Sequence, residues 1–66
     1  MNMRLAGELE LAIDRYNDEV EETEYIYWWD VVNEISDWSD DLEVIRTIIA
    51  IDCETNKLKS RRAAGL

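Results

Sequence analysis

Leu5, Leu9, Ala12, Ile13, Tyr16 and Val20 recur at spacings of three and four. At roughly 100° per residue they fill one helix face about 100° wide. Glu10, Asp14, Asp18, Glu21 and Glu22 fall on the opposite face, with only Leu11 misplaced among them. The pattern predicts a helix over residues 3–22. No proline interrupts the chain, and its two glycines, Gly7 and Gly65, lie near the ends. Elements must therefore be punctuated by capping residues and by shifts of hydrophobic phase.

One such shift follows at once. Trp28, Val31, Val32, Ile35 and Trp38 form a second stripe, with Asp30, Asn33, Glu34 and Asp37 on its other side. It is rotated by roughly 100° from the first, so one straight helix cannot aim both at one partner. A second helix over Glu24–Trp38 is expected, after a break or turn near Glu22–Tyr25. The alternative is a single long helix whose two faces serve different contacts. Ser36 to Asp41 then reads as a turn and a helix start. Ser39 or Asp40 can act as N-cap, and Asp40 with Glu43 has capping-box spacing. Asp40, Asp41 and Glu43 also suit the positive end of a helix dipole. Leu42, Ile45, Ile48, Ile49 and Cys53 give a broad apolar face. The basic run Lys57–Arg62 suits a helix C-terminus, with Gly65 behind it. A third helix over residues 40–61 fits. Val44–Ile51 is rich enough in β-branched residues to be a strand, but its apolar residues do not alternate. The fold class expected is all-α, a single small acidic helical domain over residues 1–66. Its form would be a helical hairpin or a three-helix arrangement, with oligomerisation as one way to complete it.

A chain of 66 residues buries only about 60% of the surface its unfolded form exposes. Cys53 is the only cysteine and there is no histidine. That excludes a disulfide within the chain and disfavours zinc. Self-association or a partner is the remaining easy source of extra stability. Apolar runs of a few residues fall far short of the ~20 a membrane span needs, and nothing reads as a leader. A soluble, cytoplasmic protein with no membrane partner is the expectation.

The net charge is −9, and all sixteen acids lie between residues 8 and 54. Residues 16–45 hold eleven acids and no base, whereas Lys57, Lys59, Arg61 and Arg62 cluster near the end. Such a field repels nucleic acid and anionic membrane and attracts basic surfaces. Apolar and aromatic residues are interleaved with the acids, so this is not a disordered tail. The four terminal bases are a thin nucleic-acid signal beside that body. They suit a helix end, or the neutralisation of an acidic neighbour, in this chain or in a second copy.

Materials for catalysis are few. Without histidine there is no Ser-His or Cys-His arrangement. Cys53, on the expected apolar face of the third helix, reads as a buried, inert thiol. Asp18-Glu19-x-x-Glu22 followed by Glu34-x-x-Asp37 resembles the acidic pattern of all-α nucleotide pyrophosphohydrolases. That resemblance implies two acidic pairs on consecutive helices with Mg²⁺ between them. It covers five positions, Asp18 stands where glutamate is usual, and the chain is short for that fold. A solvated helix face explains the same residues. No catalytic residue, metal ligand or cofactor is therefore assigned. Asp52 falls inside the stripe of Ile45, Ile48 and Ile49, where an acid needs a partner. Arg15 or Arg4 could supply it, unless Asp52 sits at the edge of the face.

Tyr25, Tyr27, Trp28 and Trp29 crowd into five residues, too many for one helix face. Trp28 and Trp38 are expected in the core, and Tyr25 and Trp29 at a contact surface. The function these features suggest is that of a non-enzymatic acidic binding protein. It would be an inhibitor that mimics nucleic acid on a basic partner surface. Small acidic proteins of phages and mobile elements share this general character. The expected contacts are Asp14, Asp18, Glu21, Glu22, Glu24, Tyr25 and Trp29, with Asp37, Asp40 and Asp41 as a second patch. The alternative is a structural or adaptor protein that self-associates through its third helix.

Overall fold

The computed structural model describes residues 2–65. It holds three α-helices, α1 (Met3–Asn17), α2 (Trp28–Glu34) and α3 (Asp41–Ala64), with a 3₁₀ turn at Glu22–Glu24. Among the described residues there is no strand, and the β-branched run Val44–Ile51 is helical. The fold is small and all-α. Residues 3–38 are neither one bent helix nor two long ones.

α1 opens on Asn2, whose side chain accepts a hydrogen bond from the Arg4 amide at 2.8 Å. Leu9, Ala12 and Ile13 of its apolar stripe are buried. The helix stops at Asn17 rather than near Glu22, and the reason is a side-chain clamp. Asn17 Nδ2 donates to the Ile26 carbonyl, and the Ile26 amide donates to Asn17 Oδ1, both at 2.9 Å. Residues 18–25 must loop back for this pair to form. Tyr25 and Tyr27 are extended, which delays α2 until Trp28. At the other end of α2, the Ser36 amide donates to Glu43 Oε1 at 2.7 Å. That removes the donor a longer helix would use.

α3 begins as expected on Asp40, whose carboxylate accepts from the amides of Leu42 and Glu43 at 3.1 and 3.4 Å. The reciprocal half of the capping box is absent. Glu43 turns instead to the amide and hydroxyl of Ser36, and the Asp40 amide donates to the Asp37 carbonyl. The phase of α3 also differs from expectation. Its inward face is Val44, Ile48, Ile51 and Thr55. The Thr55 hydroxyl is satisfied by the Ile51 carbonyl at 3.0 Å, so this buried polar side chain leaves no orphan donor. Leu42, Ile45 and Ile49 point outward. Cys53 is exposed, not a buried thiol.

Two ion pairs fix the direction of packing. Arg15 of α1 meets Asp52, and Glu19, just past α1, meets Arg62. Numbers rise together on both partners, so α1 and α3 run the same way. The two pack directly on each other. α2 runs in the opposite sense, because Ile26 just before it is clamped to Asn17 at the end of α1, while Ser36 just after it bonds Glu43 at the start of α3. The core lies where the three meet. Leu9, Ile13, Val31, Ile35 and Val44 form it, with Trp28 and Trp38 packed against them as expected. Leu9 and Val44 are wholly inaccessible, a contribution of about 1.5–3 kcal/mol each. With 24 residues, α3 runs about 36 Å at 1.5 Å per residue. It outreaches the 15-residue α1, whose following turn covers its last stretch.

Candidate partner-binding surface

The end of the molecule where α1 stops is built by the Asn17 clamp. The chain leaves the helix through Asp18–Val20, and Glu19 folds inward with its side chain only 6% exposed. Nη2 of Arg62 lies 2.7 Å from both of its oxygens. The basic terminus thus neutralises an acidic neighbour of its own chain, and Lys57 does the same for Glu54 at 3.3 Å. Arg15 forks onto Asp52 through Nε and Nη2 at 3.1–3.2 Å. Asp52 therefore has the partner its place called for, while remaining half-exposed at the margin of the packed face.

Asp14, Asp18, Glu21, Glu22 and Glu24 are all exposed. The ion pairs among the described residues engage Glu19, Asp52 and Glu54 and no other acid. Tyr25, also exposed, follows them. Tyr27 and Trp29 then stack with ring centroids 5.1 Å apart and planes 4° from parallel. They do so in the open, at 42% and 61% exposure. Glu10 and Asp14 of α1 line a shallow cleft of about 390 Å³ with Tyr27 and Trp28. Carboxylates and aromatic rings therefore share one region. Sequence reasoning omitted Tyr27 and Glu10 from it. The signal for Tyr27 was its spacing of two from Trp29 across a helix start, where one residue is extended and the other helical.

Asp37, Asp40 and Asp41 are exposed as well, but they lie beyond the other end of α2 and do not join the first group. Two of the three are engaged by their own backbone. Asp40 caps α3, and Asp37 accepts from the Ser39 hydroxyl and amide at 2.6 and 3.0 Å. The Ser39 hydroxyl above all, and then its amide, hold the Asp37 carboxyl below the ordinary aspartate range.

The acid pairs that resemble the pyrophosphohydrolase pattern are not on consecutive helices. Asp18, Glu19 and Glu22 lie in the loop after α1, Glu34 ends α2, and Asp37 is in the next loop. Among the described residues no three of His, Cys, Asp and Glu come together as a metal-holding group. A second cleft of about 460 Å³ opens between α2 and α3, with Asp30, Glu34, Glu43 and Arg46 at its rim over Ile26, Val31 and Ile51. No helix among the described residues is long and apolar enough to cross a membrane.

Fold and surface together define a small all-α protein with an open region of acids and stacked aromatics. No protein-family model, curated protein or solved structure matches the chain.

Proposed function

We propose that this is a non-enzymatic binding protein that docks its acidic, aromatic region on the basic, nucleic-acid-binding surface of another protein and so inhibits it. One observation carries the reading. Five exposed carboxylates between Asp14 and Glu24 have no ion-pair partner among the described residues; Asp14 shares a cleft with Tyr27 of the exposed Tyr27–Trp29 stack, and the other four lie on the chain that leads from α1 to it. Unpaired carboxylates fixed on a folded frame can replace phosphates against arginine and lysine. Aromatic side chains add contact area at little entropic cost. The engaged acids Asp37 and Asp40 are peripheral to this contact. A cytoplasmic setting suits the lone exposed Cys53.

The test is capture from cell extract at low and high salt, with the native chain and with one carrying Asp18→Asn, Glu21→Gln, Glu22→Gln and Glu24→Gln. The native chain should retain a basic, nucleic-acid-binding protein at about 50 mM salt and release it at about 500 mM, as screening dictates. Duplex DNA should displace it, and the neutralised chain should retain nothing. Capture that ignores DNA, or that survives neutralisation, rules the mimic out.

A further inference from the structure

The outward face of α3 carries an apolar stripe that the fold leaves uncovered. Leu42 is 56% and Ile49 61% exposed, with Ile45 between them and Cys53 one turn on. At roughly 100° per residue these four fall within about 80° of one another, on the side of α3 away from Val44 and Thr55. Single exposed apolar residues need no explanation, but a stripe along one helix does.

Charge says what covers it. Asp41 and Lys59 lie on one flank of the stripe, and Glu43, Lys57 and Arg61 on the other. Arg46 and Glu54 share the second flank and Asp52, already paired with Arg15, the first. The first flank therefore ends in unlike charges, Asp41 and Lys59, and the second alternates from Glu43 through Arg46 and Glu54 to Lys57 and Arg61. Lys59 and Arg61 make no ion pair among the described residues. We propose that the stripe is the seam of a two-fold dimer in which α3 packs antiparallel against α3 of a second copy.

In that arrangement like flanks face each other in reverse order. Asp41 of each chain comes beside Lys59 of the other, Glu43 beside Lys57 and Arg61, and Arg46 beside Glu54. A parallel pair would set Asp41 against Glu43 and Lys59 against Lys57, at equal heights and with like charge. The isologous, antiparallel arrangement is the one the charges favour. Its middle falls near Ile49 and Cys53, so Leu42, Ile45 and Ile49 of each chain are all covered. Three apolar residues per copy make a modest seam, and association in the micromolar range follows. The Asp14–Trp29 region lies on the α1 side and stays open in both copies, one at each end of the dimer. The seam therefore stands or falls separately from the partner-binding proposal.

Sedimentation equilibrium on the full chain from about 5 to about 500 μM tests it, since that range brackets micromolar association. The mass should climb from one chain toward two. Ile49→Glu should hold it at one chain throughout with unchanged helical circular dichroism, because the side chain has no place in the monomer core. Asp41→Lys should weaken the dimer about tenfold, and adding Lys59→Asp should restore it to within about threefold. A native chain that stays monomeric across the range overturns the proposal and leaves the stripe to a different protein. So does a mass beyond two chains, or a failure of Lys59→Asp to rescue.

Discussion

Two stretches of this chain are equally rich in carboxylates and use them in opposite ways. Between Ser36 and Glu43 the acids organise the backbone. Asp37 closes a turn on Ser39, Asp40 caps α3, and Glu43 holds the Ser36 amide and hydroxyl. Between Asp14 and Glu24 only Glu19 is engaged, and the loop is held by an amide, Asn17, and by an arginine from the far end of the chain. Acid density is therefore no guide to role. What separates the two groups is whether a backbone amide or hydroxyl lies within reach.

The largest test of this contrast is Asn17→Ala. It removes two half-buried hydrogen bonds and leaves the amide and carbonyl of Ile26 without partners. A loss of about 2 kcal/mol is expected, from roughly 1 kcal/mol per bond. In a chain this small that lowers the melting temperature by about 8–16 °C. A loss below about 0.5 kcal/mol would mean that the acid-rich loop is held some other way.

Next comes Asp40→Ala. Loss of an N-cap should cost about 1 kcal/mol, and Asp40→Asn much less, because asparagine also caps. Chemical denaturation followed by helical signal distinguishes the two. Equal losses from both would mean that the negative charge matters, through the helix dipole, more than the hydrogen bonds.

These contacts show what the sequence makes legible and what it hides. The inward face of α1 and the Asp40 cap are written in local spacing, three to four residues apart. The Arg15–Asp52 pair could be anticipated because an acid in an apolar stripe demands a counter-charge. The end of α1 could not, since it depends on Asn17 meeting Ile26 nine residues later. Nor could the phase of α3. Leu42–Ile45–Ile49–Cys53 and Val44–Ile48–Ile51 are both apolar stripes of one helix, and periodicity alone cannot choose between them. The choice fell to the stripe that continues into Thr55, whose hydroxyl can be satisfied by its own helix. At the candidate surface, exposure of Tyr25 and Trp29 followed from overcrowding. The sequence already set Asp37, Asp40 and Asp41 apart as a second patch, but the engagement of Asp37 by Ser39 and of Asp40 by the first amides of α3 became visible only in the structure.

A smaller effect is expected from neutralising Asp18, Glu21, Glu22 and Glu24 together. None has an ion-pair partner among the described residues, and the chain carries a net charge of −9. Stability should therefore stay within about 0.5 kcal/mol of native or rise slightly. Partner capture alone should fail. A marked loss of stability would place these acids with the structural group and remove the contrast.

The smallest and most local effect belongs to Asp37. Its carboxyl titrates below the ordinary aspartate range because Ser39 donates to the ionised form. A depressed native value means that the folded chain binds this proton less readily than the unfolded one. The stabilisation is therefore complete above the unfolded aspartate value of about 3.9, and is lost as pH falls through the lower native one. Carboxyl-carbon NMR titration should give Asp37 a low midpoint, and Ser39→Ala should move it back toward the ordinary value while the Asp40 cap persists. If Ser39→Ala leaves the midpoint unchanged, the hydroxyl is not what engages this acid. Asp37 would then belong with the unpaired carboxylates of the other loop.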